Sequence, residues 1–321
     1  MQKKTLTSKA GSAGHFAINN AAALMCVVLI LYNALFTRNF VQINSLWNLI
    51  AQTTSLMFVT MGMTLVISAG CTDLSVGAVM AISSSVCGEY MVSGGNQAAA
   101  IFLALGISLV CGLINGTLVA RYKLQPLVAM LVARMVYRAA AQIYTSGIAR
   151  NVSSSVGAFI AQKRLFTFRL PVIVFPMILV ILLTWFIAKK TSFGKHVEAV
   201  GNNQRTAYLC GISVAGTIVA VYLFSSVLAG CGGLIELFRS GATDANTIGL
   251  DYEMSAIAAV TIGGTSMRGG KAKIYGSIAG ALLMTLITMT VNFSNITYQM
   301  ANILKGVVIV FALALHSIDR S

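Results

Sequence analysis

Polar residues that interrupt a long apolar stretch are the first candidates for chemistry in this sequence. Asp73 and Ser75 stand within residues 68–77, between two apolar segments, and an acid in such a place needs a partner. A helix broken at membrane depth presents free amides and carbonyls to a polar solute without exposing them to lipid. A simpler interpretation is that Thr72 or Asp73 caps a helix that begins near Leu74. The two interpretations are compatible.

A second polar group recurs every four residues along the apolar segment Pro126–Tyr144. Arg134, Arg138 and Gln142 share one face if this segment is a helix. An arginine inside a membrane helix costs at least ~2.5 kcal/mol, so this face should point to a protein interior or an aqueous cavity. The alternative is a structural role for Arg138, paired with Asp73, a helix terminus or carbonyl groups. We expect Arg138 and Gln142 to support a solute path or its scaffold.

A glycine-rich turn at residues 262–271 invites comparison with a phosphate-binding loop, but its spacing does not match. A Walker motif that ends at Lys271 would need glycine in place of Thr265 and serine or threonine in place of Ala272. ATP must therefore be handled by another polypeptide if the system is ATP-driven. The glycines of this turn are Gly263, Gly264, Gly269 and Gly270.

Histidine and cysteine give no catalytic or metal-binding pattern. The three histidines lie far apart in sequence, with no paired carboxylate or nucleophile. The six cysteines are scattered singly, mostly within apolar runs, with no CxxC spacing. The sequence therefore predicts neither an enzyme nor a cofactor.

The composition excludes an ordinary soluble protein. Of 321 residues, 57% are hydrophobic and 9% are charged, whereas a soluble domain has roughly 25% charged residues. The net charge of +14 could suggest nucleic acid, but the basic residues lie in short groups between apolar runs, without interleaved aromatic residues. We interpret them as topology signals in a protein whose apolar surface faces lipid.

Ten apolar segments predict an all-α, polytopic membrane protein with about ten transmembrane or partly re-entrant helices. The segments around Val76, Met254 and Tyr275 are short enough to be broken or re-entrant. The segments are Ala21–Phe36, Leu46–Ala69, Val76–Val92, Ala98–Ala120, Pro126–Tyr144, Pro171–Ala188, Ala215–Ile235, Met254–Ile262, Tyr275–Val291 and Met300–His316.

The distribution of basic residues predicts the orientation. If all ten segments cross, thirteen basic residues are cytoplasmic and six are outside, which favours cytoplasmic positions for both termini. We expect one transmembrane domain over residues 1–321 with a cytoplasmic tail at 1–20. Blocks that start at Leu46 and Ala215 would run in opposite directions, as in an inverted repeat.

The interval Lys189–Val214 is the main polar element between the apolar segments. Lys189 and Lys190 directly follow an apolar run, as basic residues do at a cytoplasmic boundary. Within it, residues 203–210 would place Thr206, Ala207 and Cys210 on one small-residue face at helical spacing. The pattern alone is also typical of an ordinary amphipathic connector between two membrane helices.

Three motifs together resemble the ribose-type permeases of bacterial carbohydrate ABC importers, from about Leu46 to the C-terminus. They are Asp73-Leu74-Ser75-Val76-Gly77, the loop from Glu198 to Ile212, and Ile262-Gly263-Gly264-Thr265-Ser266 with Gly269-Gly270. Asn202 stands where the family usually has a second glycine, and Cys71-Thr72 replaces the usual Gly-Ile. The stretch 240–246 is most similar to members that carry furanose sugars.

The resemblance implies that residues 189–214 insert into a groove of a cytoplasmic ATPase. The coupling residues it suggests are Glu198, Gly201, Asn203, Thr206, Ala207 and Gly211. For the solute path it suggests Asp73, Ser75, Gly77 and Arg138, to which the helical spacing adds Gln142. The resemblance also implies a position in the bacterial inner (plasma) membrane.

The implied function is import of a monosaccharide by alternating access. The implied partners are a cytoplasmic ATP-binding subunit, a second permease subunit (identical or homologous) and an extracytoplasmic sugar-binding protein; membrane lipid surrounds the chain, and no nucleic acid is involved. Two alternatives stay open: an ion-coupled secondary transporter with Asp73 as its coupling site, and a branched-chain amino-acid ABC permease.

Overall fold

A computed structural model describes residues 21–37, 40–162, 164–165 and 170–293, together with residues 300, 303, 306 and 307. The predicted tail at 1–20 and nearly all of the tenth apolar segment lie outside the described residues.

Helices dominate the described chain, and four two-residue strands lie between them. The helices are α1 (Ala21–Phe36), α2 (Ile43–Ser68), α3 (Val76–Val92), α4 (Gln97–Ala120), α5 (Pro126–Tyr144), α6 (Ser155–Gln162), α7 (Val174–Lys190), α8 (Ser192–Asn202), α9 (Gln204–Leu209), α10 (Val214–Ser240), α11 (Tyr252–Ile262) and α12 (Ile274–Phe293). The strands are β1 (Arg150–Asn151), β2 (Arg164–Leu165), β3 (Leu170–Pro171) and β4 (Ala242–Thr243).

Within the described residues, five helices are long and apolar enough to cross a membrane: α2, α4, α5, α10 and α12. The pair α7 and α8 passes the same test but is bent by 71°. The all-α, polytopic fold is therefore confirmed, whereas the count of ten spans and the inverted repeat are not. The hydropathy pattern predicts a short segment, Tyr275–Val291, whereas α12 extends beyond both of its ends and has 20 residues. Helices α3 and α11 remain short, with 17 and 11 residues.

Helices α2 and α10 form the centre of the bundle. Every residue of α2 from Thr53 to Ser68 is buried, and α10 packs against α2, α3 and α4. Small residues permit this close approach. A Cβ built on Gly62 would lie only 2.9 Å from the Cα of Ser225, and one on Gly116 would lie 2.8 Å from the Cα of Val219.

Peripheral helices present apolar side chains outward. On α4, Phe102 and Leu103 are exposed, and on α5 the same is true of Leu127 and Val136. An outward face of this composition suits lipid or another apolar protein surface. At one end of the bundle, β1 pairs antiparallel with β4 (Arg150 opposite Thr243), which closes the loop after α5 onto the loop after α10.

Candidate solute path and coupling face

The C-terminus of α2 meets two distant segments, the end of α8 and the glycine-rich turn, in a tight backbone contact. The amide of Gly270 donates to the carbonyl oxygen of Ser68 at 2.9 Å. A Cβ built on Gly201, near the end of α8, would overlap that same oxygen and lie 2.7 Å from the Gly270 nitrogen. A Cβ on Gly269 would lie 2.8 Å from the Gly201 Cα. We call Ser68, Gly201, Gly269 and Gly270 the glycine junction.

The glycine junction changes the interpretation of Gly201. The sequence suggested that Gly201 contacts a partner ATPase, but its Cα faces the end of α2 and the turn at 269–270. Gly269 and Gly270 have φ of +95° and +108°, which glycine adopts without strain. Gly263 likewise packs against Gly276 at the start of α12. The glycine-rich turn therefore serves close packing within the chain.

Asp73 lies in a fully buried polar network just beyond this junction. Its Oδ1 accepts hydrogen bonds from the amide and hydroxyl of Ser75, at 2.9 and 2.6 Å. The Ser225 hydroxyl donates to Oδ2 at 3.3 Å. Asn115 Nδ2 donates to Ser75 Oγ at 2.7 Å, and the Tyr137 hydroxyl donates to Asn115 Oδ1 at 3.0 Å. This Asp73 network joins the break after α2 to α4, α5 and α10.

The network corrects the expectation that Thr72 or Asp73 caps the next helix. Helix α3 begins at Val76 with Ser75 as its N-cap and without a side-chain cap, so neither Thr72 nor Asp73 caps it. Asp73 instead accepts hydrogen bonds from Ser75, in the turn before the helix, and from Ser225 on α10. The Tyr222 hydroxyl donates a hydrogen bond to the Thr72 carbonyl oxygen at 2.8 Å. Sequence reasoning missed Asn115, although an amide inside an apolar run is a signal of a buried polar contact.

Arg138 binds backbone carbonyls rather than Asp73. Its Nη1 donates to the carbonyls of Ala245 and Ile248 at 2.8 and 2.7 Å, and its Nη2 donates to Gly77 at 3.2 Å. The planar guanidinium suits this geometry, because its N–H donors point in fixed directions. Arg138 thus ties α5 to α3 and to the loop after β4. This carbonyl role is one of the alternatives that the sequence left open.

All three residues of the predicted polar face of α5 contact residues 245–253. Besides Arg138, Gln142 Nε2 donates to Asn246 Oδ1 at 2.9 Å. Arg134 forms an ion pair with Glu253 at 2.8 Å. The chain from β4 into this segment follows α3: Thr243 packs against Gly88, and Gly249 packs against Gly77, about three turns earlier. It therefore carries polar groups from one end of the bundle towards its middle.

The polar interval after α7 forms two short helices at the opposite end from β1 and β4. Asn203 caps α9 by accepting from the Thr206 amide at 3.0 Å. Ala207 is buried whereas Thr206 and Cys210 are exposed, so the predicted small-residue face does not form; the helix turns Ala207 into the protein. Tyr208 and Leu209 instead project outward, with 72% and 77% of their surface exposed.

Two other residues proposed for coupling differ in their surroundings. Glu198 is partly exposed on α8, between the buried residues Val197 and Val200. Gly211 has φ of +80° and no heavy atom within 4 Å of a built Cβ, so it serves the turn and has open space around it.

A cavity of about 1070 Å³ opens beside α9. Lys123 and Arg205 line it, together with Tyr208 and the start of α10. Gly70 and Cys71 also line it, so the cavity reaches the break that leads to the Asp73 network. The exposed loop and the buried polar break thus share one cavity.

A helical bundle with several candidate spans and a buried polar break is typical of a membrane transport protein. Residues 45–313 match the family described as branched-chain amino acid transport system / permease component, and the chain belongs to that family. No solved structure matches it significantly.

Curated relatives extend over most of the chain. It is 30% identical over 318 residues to the ribose import permease protein RbsC of Escherichia coli K12, covering 98% of each chain. It is 36% identical over 256 residues to the galactofuranose transporter permease protein YtfT of the same strain, covering 80% of this chain and 74% of the relative. It is 30% identical over 329 residues to the fructose import permease protein FrcC of Rhizobium meliloti, covering 97% and 89%. The predicted resemblance is confirmed, and the chain is a permease subunit rather than an enzyme.

Proposed function

We propose that this chain is the membrane-spanning subunit of an ATP-driven importer that moves a monosaccharide across the bacterial inner membrane. The observation that carries the proposal is its similarity, over most of its length, to permeases named for ribose, galactofuranose and fructose import. The family description names branched-chain amino acids, but these relatives favour a sugar. By the same relationship, the partners are an ATP-binding subunit, a second permease subunit and a sugar-binding protein.

The arrangement of basic residues supports a cytoplasmic position for the end that carries α8 and α9. Lys123 and Arg205 line one cavity there, and Lys189 and Lys273 line another. These residues come from three different loops, so the fold gathers basic groups that the positive-inside rule assigns to one side. Cytoplasmic termini remain our prediction.

We assign ATPase coupling to residues 189–214, because this end presents a compact, exposed helical surface. Tyr208 and Leu209 offer apolar contact area, and Arg205 adds charge beside them. A large apolar pair left in water on a short helix is typical of a docking surface. Among the residues suggested by the resemblance, Thr206 lies on this exposed surface, whereas Gly201 and Ala207 support it from within.

The glycine junction supplies a physical route for alternating access. A movement of α8 must also move Ser68 and Gly270, because the backbone atoms of Gly201, Ser68 and Gly270 are in van der Waals contact with no space between them. Ser68 leads directly into the break that holds the Asp73 network. Force applied by an ATPase at α9 would therefore reach the candidate solute path within one short segment.

Import by vesicles tests the proposal. The permease would be reconstituted with the ATPase and binding protein of the same organism, and uptake of ribose, fructose and galactofuranose measured. We expect uptake that needs ATP and persists when ionophores collapse ion gradients. Uptake that stops with the ionophores would instead indicate a secondary transporter. Leucine uptake without sugar uptake would indicate the amino-acid alternative.

A further inference from the structure

A charged cluster between α5 and the start of α11 is separate from the Asp73 network. Arg134 Nη2 lies 2.8 Å from Glu253 Oε1 and 4.0 Å from Asp251 Oδ1. Only 1% of the Glu253 side chain is exposed, whereas Arg134 and Asp251 expose 31% and 33% of theirs. We call these three residues the Arg134 cluster. The buried Glu253 carboxylate binds the Arg134 guanidinium, while the side chains of Arg134 and Asp251 are partly exposed.

The Arg134 cluster lies near mid-depth in the bundle. At 1.5 Å per residue, Arg134 is roughly 12 Å from the start of α5 and roughly 15 Å from its end. Asp251 precedes α11, whose 11 residues extend for roughly 16 Å towards the glycine-rich turn. Two independent helices therefore place the exposed charges in the middle of the span.

Charged groups at this depth do not face hydrocarbon, because lipid leaves them without solvation. The surface around the cluster is mixed: Leu131, Leu250 and Met254 are 40%, 41% and 48% exposed. Apolar area beside a guanidinium and a carboxylate matches the chemistry of a sugar, which has C–H faces and paired hydroxyls that donate and accept. Such a surface fits a solute path better than a lipid boundary.

We propose that the Arg134 cluster is a contact site for the hydroxylated solute at mid-membrane, an inference that rests on the proposed function. Arg134 supplies N–H donors, Asp251 supplies acceptor oxygens, and Glu253 positions the guanidinium. The carboxylates of Asp251 and Glu253 balance the guanidinium groups of Arg134 and Arg138, so no excess positive charge remains and the site favours a neutral sugar over a phosphorylated one.

The site is incomplete within one chain. Arg134 is partly exposed, and Leu131, about one turn earlier on the same face of α5, is exposed as well. A path that holds a solute away from lipid needs a facing wall, and the second permease subunit provides it. The same cluster on that subunit would double the hydrogen-bonding groups around the solute.

Thiol reactivity tests whether water and solute reach the site. In a Cys210→Ser background, Met254→Cys would be compared with Phe102→Cys, an exposed apolar position on α4. In vesicles containing the whole complex, we expect a charged, water-soluble thiol reagent to modify the first variant about tenfold faster or more, and the imported sugar to slow it. If the two variants react equally slowly, Met254 faces lipid or dry protein, and the proposal is overturned.

Substrate discrimination provides the second test. Asp251→Asn keeps the size and tolerates the φ of +59° found there, and Arg134→Lys keeps the charge. The parental complex should import its sugar faster than an analogue lacking one hydroxyl, and we expect each variant to reduce that ratio about tenfold, with unchanged complex assembly. Arg150→Lys, at an ion pair with Glu89 outside the cluster, should leave the ratio unchanged.

Discrimination ratios that stay at the parental value in both cluster variants would refute solute contact. A parental complex that imports no sugar would instead refute the proposed function. The two failures are therefore distinguishable.

Discussion

The amide of Gly270 is hydrogen-bonded to the carbonyl oxygen of Ser68 at 2.9 Å, and Gly201 lies against the same oxygen. The end of α8 and the turn at 269–270, each more than a hundred residues further along the chain, thus pack against the last turn of α2. No side chain fits in this contact, so a larger residue at Gly201 should displace the neighbouring backbone.

Gly201→Ala should destabilise the permease by about 1–3 kcal/mol, because its Cβ would overlap the Ser68 carbonyl and displace α8. Thermal unfolding of the purified protein measures this. Gly106→Ala is the matched control: a built Cβ meets nothing within 4 Å, so unchanged or slightly higher stability is expected. Equal unfolding temperatures for both variants would contradict the packing described for the junction.

Tyr208→Ala combined with Leu209→Ala should weaken co-purification of the ATPase without lowering the unfolding temperature of the permease. Both side chains are mostly exposed, so their loss removes little internal packing. Phe102→Ala, with 74% exposure on α4, should leave ATPase binding intact. Full retention of the ATPase by the double variant would show that α9 does not dock it.

Arg138→Leu should lower stability by several kcal/mol, because the carbonyls of Ala245, Ile248 and Gly77 lose their donor, at about 1–3 kcal/mol for each buried group. Arg138→Lys should be intermediate, since an ammonium cannot reproduce the planar fork. Thermal unfolding and vesicle uptake should fall together. Parental values for Arg138→Leu would mean that these hydrogen bonds are dispensable.

Asp73→Asn should preserve more transport than Asp73→Ala. The amide oxygen can still accept from Ser75, whereas alanine leaves the hydroxyls of Ser75 and Ser225 without their acceptor. Uptake rates normalised to the amount of assembled complex measure this order. Loss of all uptake in Asp73→Asn, with Ser225→Ala active, would instead support a coupling ion at Asp73.

Cys210 tests the orientation without any added residue. It is exposed, whereas the other cysteines are buried or, for Cys231, partly buried. A membrane-impermeant thiol reagent should label it only in permeabilised cells, because we place α9 in the cytoplasm. Cys210→Ser controls for other thiols. Labelling of Cys210 in intact cells would reverse the orientation.

Hydropathy located the helices well because an apolar run is a local property. The predicted segments Val76–Val92 and Pro126–Tyr144 agree with α3 and α5 at both ends. The spacing of Arg134, Arg138 and Gln142 likewise placed all three on one face, because helical periodicity is also local.

What the sequence could not show are contacts between distant segments. The sequence around Gly201 does not indicate that this residue packs on Ser68. Asp251 and Glu253 have the pattern of an ordinary helix start, and only the structure shows that they lie beside Arg134 of α5. The bend between α7 and α8 falls at Thr191, whose extended backbone separates the two helices, and hydropathy carries no information on its direction. The partners of a glycine or an acid therefore required the three-dimensional arrangement.

The glycine junction also constrains how the protein is made. Its three parts emerge from the ribosome far apart in time: Ser68 first, Gly201 much later, and Gly270 only when most of the chain has been synthesised. Until then α8 has no turn at 269–270 to hold it. A nascent chain that has not reached residue 270 thus lacks one side of the contact around Ser68, and α8 reaches its final packing only after that residue has been synthesised.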